Sequence, residues 1–223
     1  MATIHRTTMA PSKLDLLTDW LPRQRWYRDT GAPPALSRSG GFRLDDPAGD
    51  VGIEFVFVTD GTEGHEMTYH VPMAYRGAPL PEAEDGLIGT SEHGVLGRRW
   101  IYDAAYDPVA VAQLLNFICG GTEAQHQNRS DTPDPSVGRH WASAGRLVAP
   151  SPLQVSGDEP GRTTVAVDLT EGPGPGPRCL DVIRILQESL DAGGAAQDGL
   201  GHVEADWTRL DGRTARGTVV VVR

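Results

Sequence analysis

Two short clusters in this chain pair arginine with large aromatic rings. One is Arg25-Trp26-Tyr27, which ends the stretch Trp20-Leu21-Pro22-Arg23-Gln24-Arg25-Trp26-Tyr27; the other is Arg98-Arg99-Trp100. Only 6% of the residues are aromatic, so the rings of the first stretch are a local concentration. A guanidinium stacks on an aromatic face, and flat rings beside fixed cations can hold a sugar or a partner protein. Trp20, Arg25, Trp26, Tyr27, Arg99 and Trp100 are therefore the candidate interaction surface. The competing reading makes the rings a core plug with arginines along its rim. A carbohydrate platform needs the rings exposed and coplanar, whereas a plug needs them buried.

Other chemistry-bearing residues carry less. Glu82, Glu84 and Asp85 offer paired carboxylates, the currency of glycoside hydrolysis, but such neighbours in a loop are ordinarily solvated. Ser91-Glu92-His93 has a serine beside a histidine, and adjacency in sequence is not triad geometry. Of His65, His70, His93, His126, His140 and His202, two have a carboxylate four residues away, His70 with Glu66 and His202 with Asp206, but both fall in stretches read as strand, where that spacing does not bring side chains together. The glycines of Gly86-Leu87-Ile88-Gly89 and Gly94-Val95-Leu96-Gly97 lack the strand-to-helix setting of a dinucleotide fingerprint. Cys119 and Cys179 show no C-x-x-C or Cys/His ligand spacing, so free thiols are expected rather than a zinc site. No catalytic residue, metal or cofactor is expected.

The elements that must position these residues are mostly strands. Lys13 to Trp20 reads as a short amphipathic helix that Pro22 stops, since proline lacks an N–H and restricts the residue before it. Ser37–Leu44, Val51–Thr59 and Glu66–Ala74 read as an antiparallel meander joined by turns at Asp45–Asp50 and Asp60-Gly61. In the last of these Met67, Tyr69, Val71 and Met73 share one face. Gly77 to Gly97 reads as loop with one short strand near Leu87-Ile88. Asp107-Pro108 starts a helix with Val111, Leu114, Leu115 and Ile118 at helical spacing, closed by Gly120-Gly121. Polar residues 122–140 read as exposed linker. Beyond them the pattern is all β: Leu147–Val155, Thr163–Leu169, Cys179–Leu186 and a hairpin of Gly201–Leu210 with Ala215–Val222. Ile183 and Ile185 are expected to face inward and Val182 and Arg184 outward. Ser189–Gly199 reads as mobile.

The Trp20–Tyr27 stretch resembles the W-L-P-x-Q-R-W-Y signature of the maltokinase N-terminal cap domain. Arg28 continues the basic run of that family, and Asp29-Thr30-Gly31 departs from it. Tyr102-Asp103-Ala104-Ala105-Tyr106-Asp107 is similar to the Y-D-A-x-Y-D ending of the cap. The resemblance implies a cap over roughly residues 13–120 and, by element order, a kinase N-lobe-like sheet after it. On that mapping Gly157 and Gly161 lie in the nucleotide turn. Asp181 stands where the family carries the lysine that pairs with nucleotide phosphates, and an aspartate there repels phosphate. The sequence ends at Arg223 without the helical lobe that supplies the catalytic Asp and the Mg²⁺ ligands, so loss of kinase activity is expected.

With 20 basic and 30 acidic residues the net charge is −10, which argues against nucleic acid and anionic membranes as partners. Lys13 is the one lysine. Met1 to Ser12 has no apolar run of the signal-peptide kind, and no stretch reaches membrane-spanning length; a cytoplasmic location is expected. The expected fold class is α+β: a curved antiparallel sheet with packed helices, followed by a five-stranded antiparallel kinase N-lobe-like sheet. The expected divisions are 1–125 for the cap, 126–145 for a linker and 146–223 for the degenerate lobe. The function expected from the resemblance is non-catalytic binding or regulation linked to α-glucan, maltose or trehalose metabolism. The alternatives are an ATP-binding sugar kinase component completed by a second chain, and a carbohydrate-binding module. The strand Val219–Val222 is expected to expose apolar surface, to be covered by a homodimer or a protein partner, with α-glucan as a further candidate ligand.

Overall fold

The structure, a computed structural model, describes residues 9–62, 65–157, 160–171, 174–189 and 199–223. After the short strand β1 (Met9–Ala10), Ser12 caps helix α1 (Lys13–Trp20). The Ser12 hydroxyl accepts the Asp15 amide and the Asp15 carboxylate accepts the Ser12 amide, a reciprocal box that satisfies two helix-start donors. Pro22 ends the helix as its ring predicts, in a 3-10 turn over Leu21–Arg23.

The meander follows as β2 (Leu36–Leu44), β3 (Val51–Asp60) and β4 (Met67–Arg76). The segment expected to be loop with one short strand holds β5 (Leu87–His93), which forms a hairpin with β6 (Gly97–Asp103) just beyond it. Its apolar residues are few and its bulge between Leu87 and Gly89 breaks the alternation, so the period-2 signal was weak. Asp107 caps α2 (Pro108–Ile118) by accepting the amides of Val109 and Ala110, and β7 (Gln125–His126) closes the first sheet. That sheet is seven-stranded and antiparallel, in the order β1-β5-β6-β4-β3-β2-β7.

The second sheet comprises β8 (Gly138–Trp141), β9 (Leu147–Val148), β10 (Val155–Ser156), β11 (Arg162–Leu169), β12 (Gly176–Ile183), β13 (Gly201–Thr208) and β14 (Thr214–Val222). Its order is β10-β11-β12-β14-β13-β8, with β9 also pairing β11. The expected class, α+β with a five-stranded kinase N-lobe-like sheet, is therefore wrong. The protein is mostly β, built on two antiparallel sheets of seven strands each. The extra strands are two to four residues long, too short to show periodicity, and β8 comes from polar residues 138–141 of the expected linker. The expected mobility of Ser189–Gly199 falls largely on residues 190–198, outside the described residues.

One apolar cluster runs from the first sheet (Phe42, Ile53, Phe55, Phe57) through α2 to the second sheet (Val165, Val182, Val203, Val220). Helix α2 buries Ala110, Val111, Leu114, Leu115, Phe117 and Ile118, a nearly all-round apolar surface suited to a site between two layers. The other face of the first sheet carries the predicted stripe: Tyr69, Val71 and Met73 join Val56, Val58, Leu17, Trp20 and Trp26 beneath α1. The first sheet is thus buried on both faces. Val219, Val220 and Val222 are also buried, because β14 lies between β12 and β13 and faces the shared core. The apolar surface expected there is covered by the chain itself.

The two sheets are also stitched through their backbones. Past the end of β12, the His70 amide donates to the Arg184 carbonyl at 2.9 Å and the Leu186 amide donates to the Thr68 carbonyl at 2.8 Å. Nearby, a bulge in β2 places Gly40 against β13. A Cβ on Gly40 would stand 3.4 Å from the Asp206 carbonyl oxygen, and its φ of +153° suits glycine, so this approach needs a residue without a side chain. Among the described residues no helix is long and apolar enough to cross a membrane.

Candidate functional site

At the joint between the sheets lies a polar cavity of about 320 Å³, lined by Trp20, Arg23, Gln24, Arg25, Trp26, Asp85, Asp103, Tyr106, Gly157 and Thr163. Several separate pieces of sequence meet there, Asp85 coming from the 3-10 turn over Pro81–Gly86 and Gly157 from the segment before β11. The 3-10 turn after α1 brings Trp20 to Trp26. The turn after β6 brings Asp103 and Tyr106. The start of β11 brings Thr163.

Behind the wall sits Arg184, with its side chain wholly buried. Its Nη2 donates to Asp103 Oδ2 at 2.5 Å, its Nε donates to Thr163 Oγ1 at 2.8 Å, and its guanidinium lies 5.2 Å from the centre of the Trp26 ring. An arginine with no exposure survives only where a carboxylate and hydrogen-bond acceptors replace its water. Asp103 has a second task, accepting the Ala105 amide at 3.1 Å to start the next turn. Burial, then the Asp103 charge, raises the Tyr106 phenol above its ordinary value, so it stays protonated. Among the described residues Arg184 Nη1 has no hydrogen-bond partner, while His70 Nδ1 meets the Ile183 carbonyl at 3.0 Å and the ring also interacts with the Val219 backbone. Burial, then the Arg184 charge, pushes the His70 imidazole down to about 3, so the ring is neutral.

The candidate surface divides. Trp20 and Trp26 are 4% and 5% exposed and meet edge to face at 63°, so they are a plug and not a stacking platform. Tyr27 packs on Tyr69 with ring centres 5.4 Å apart and donates to Asp60 Oδ2 at 2.8 Å. Arg25 lines the joint cavity, whereas Trp100 packs against the shared core and Arg99 lines a different cavity. The two arginine–tryptophan clusters therefore do not form one surface. Gly157 lies on the rim of the joint cavity, and the Gly161 carbonyl accepts the Arg184 amide at 2.8 Å. Asp181 is 1% exposed; it accepts from Thr164 Oγ1 at 2.7 Å, pairs with Arg162 at 3.4 Å and pairs closely with Arg223. Its charge is held internally by two arginines. The expected outward direction of Val182 and Arg184 is also corrected, since both are buried while Ile183 and Ile185 are only half-buried. Cys119 and Cys179 are free thiols.

The second cavity, about 430 Å³, lies beside the start of α1 and includes Lys13, Arg43, Glu54, Tyr75, Arg99 and Gln127. Among its lining residues is Glu54, a carboxylate 5% exposed in the apolar run Val51–Val58 of β3. It accepts from the Tyr75 hydroxyl at 3.0 Å, from Gln127 Nε2 at 2.8 Å, from Arg38 at 3.3 Å and from Lys13 in a close pair. Burial pushes this carboxyl up, but Lys13, Arg38 and Tyr75 outweigh it and hold it below its ordinary value. Arg184, Glu54 and His70 carry no role in a reading by motif. Their signal was positional: a charged or titratable residue in a run of apolar neighbours, as in Val182-Ile183-Arg184-Ile185-Leu186 and Ile53-Glu54-Phe55-Val56.

The fold and joint together define a mostly β protein in which two sheets close on a polar cavity. Residues 20–107 match the family model of the Maltokinase N-terminal cap domain. The match begins at Trp20 and ends at Asp107, and so includes both motifs that meet in the joint cavity.

Proposed function

We propose that this chain is a non-catalytic binding or regulatory protein linked to α-glucan, maltose or trehalose metabolism, and that it takes a small hydroxyl-rich ligand at the joint cavity. The observation that carries the reading is the convergence of both cap motifs, with the second sheet, on one polar cavity. Arg23, Gln24 and Arg25 supply donors and Asp85 and Asp103 supply acceptors, the mixture that a sugar hydroxyl, donor and acceptor at once, can use. The volume is at the small end of ligand pockets, which run from about 300 to 1,000 Å³. A ligand there touches both sheets and so stabilises their docking, a route to regulation without chemistry.

The non-catalytic part of the reading is supported by what the motif carboxylates do. Asp103 pairs with Arg184 and caps a turn. Asp107 caps α2 and takes a two-pronged pair from Arg76, at 2.5 and 3.0 Å. Asp181 is held by Arg162, Arg223 and Thr164. Free cysteines suit a reducing compartment such as the cytoplasm. The test is a thermal melt of the full chain with glucose, maltose, trehalose or ATP–Mg²⁺, repeated on Asp85→Asn. A rise with one sugar that Asp85→Asn reduces supports the reading. A rise with ATP–Mg²⁺ alone would replace it with the nucleotide-binding kinase component, and a sugar response indifferent to Asp85 would move the site elsewhere.

A further inference from the structure

His140 on β8 and His202 on β13 are direct register partners in neighbouring antiparallel strands. Their ring centres lie 5.4 Å apart with planes tilted by 31°. His140 is exposed and His202 half-buried, so the pair is open to solvent along one edge. Glu204 stands two residues along β13 on the same face as His202, where it meets Arg216 at 3.4 Å. Nothing in the joint cavity or the Lys13 cavity involves these residues.

We propose that His140 and His202 form a two-imidazole site for a borderline divalent transition metal, of the Cu²⁺, Ni²⁺ or Zn²⁺ class. Imidazole nitrogens favour these ions, whereas Mg²⁺ and Ca²⁺ demand oxygen ligands. Metal–nitrogen bonds of about 2.0–2.1 Å require the two ligating nitrogens about 3–4 Å apart. Rings 5.4 Å apart on facing positions reach that spacing by rotation of the side chains, with the strands left in place. Among the described residues there is no group of three or more His, Cys, Asp or Glu side chains placed to hold a metal. The site is therefore bidentate, with its other positions taken by water or by Glu204 after release from Arg216. Binding would tie β8, an edge strand, to β13, and so fix the segment that connects the two sheets.

The full chain, stripped with a chelator, is titrated separately with Cu²⁺, Ni²⁺, Zn²⁺ and Mg²⁺ while its melting temperature is followed. Saturable stabilisation is expected from the first three and none from Mg²⁺. His140→Ala and His202→Ala should each abolish it. Because either change also removes a side chain that packs on β8 or β13, the deciding measurement uses the unaltered protein: substoichiometric Cu²⁺ should broaden the NMR signals of His140 and His202 before those of the other five histidines. Broadening spread evenly over all histidines, or stabilisation retained in the double variant, would overturn the proposal.

Discussion

Two of the buried charge clusters among the described residues differ in what they join. At the joint, Arg184 and Asp103 side chains are 0% and 3% exposed, and their partners come from opposite sheets, 81 residues apart. Beside α1, Glu54 is 7% exposed by side chain, but its cations Lys13 and Arg38 are 29% and 42% exposed. All of its partners lie in the first sheet or the segments packed on it. Both members of the first pair lose their water, whereas in the second only the carboxylate does. The joint cluster therefore couples the halves, and the Glu54 cluster steadies one of them. Removing one partner of a wholly buried pair leaves a bare charge, the most expensive state available to either cluster.

The largest effect is accordingly expected from Arg184→Met, which leaves Asp103 uncompensated. We expect a loss of about 3–5 kcal/mol in urea unfolding. Adding Asp103→Asn, which keeps an acceptor for the Ala105 amide and removes the charge, should restore part of that loss. If Arg184→Met unfolds within about 1 kcal/mol of the parent, a scale typical of exposed pairs, the joint is not the coupling element. Glu54→Gln comes next. The Tyr75 hydroxyl and the Gln127 amide keep only a neutral acceptor, so a loss of about 1–3 kcal/mol is expected.

Acid titration separates the clusters. His70 sits at the joint with its imidazole pushed from 6.5 down to about 3, by burial first and by Arg184 second. The unfolded chain then binds a proton that the folded chain refuses. The stability this neutral ring allows is complete above pH 6.5 and erodes as pH falls toward 3, by at most about 1.4 kcal/mol per pH unit. Glu54 has the opposite origin and a lower window. Its carboxyl is held below 4.5, so its contribution is present above that pH and is lost only as pH falls further. Between pH 6.5 and 4.5 the slope should therefore belong to His70 and not to Glu54, with a smaller share from His202, also lowered by burial. Urea melts at pH 7.5, 5.5 and 4.5 should show a flatter profile for His70→Asn. An unchanged slope in that variant would mean that the ring is not the group being titrated.

What the sequence reveals of this arrangement follows from how local each signal is. Helix α1, its stop at Pro22, the meander and the Asp107 cap of α2 are written in neighbouring residues, and each forms where the pattern places it. The stripe Met67, Tyr69, Val71 and Met73 does mark one face, because alternation is preserved along β4. β8 has only Gly138-Arg139-His140-Trp141, a polar edge whose pairing depends on a strand 60 residues later. Arg184 fails for a related reason. Period 2 ties its direction to that of Val182, which the fold buries in the shared core, and residues 184–186 then leave β12 to pair with β4. The meeting of the two cap motifs is equally non-local: each is visible alone, and their shared cavity is a property of the fold.

The smallest expected effect tests whether burial, and not distance, sets these magnitudes. Arg98 Nε approaches Glu92 at 2.7 Å, a shorter separation than the 3.3 Å between Arg38 and Glu54. Both side chains of the Arg98 pair are more than half exposed, at 62% and 58%, on the β5–β6 hairpin. Water competes for each group and salt screens the attraction, so the short contact gains little over solvated ions. Arg98→Ala should change unfolding by less than about 0.5 kcal/mol, and 0.5 M salt should erase the difference. A loss comparable to that of Glu54→Gln would show that hairpin geometry contributes as much as burial, and the ranking of the two clusters would then need a different basis.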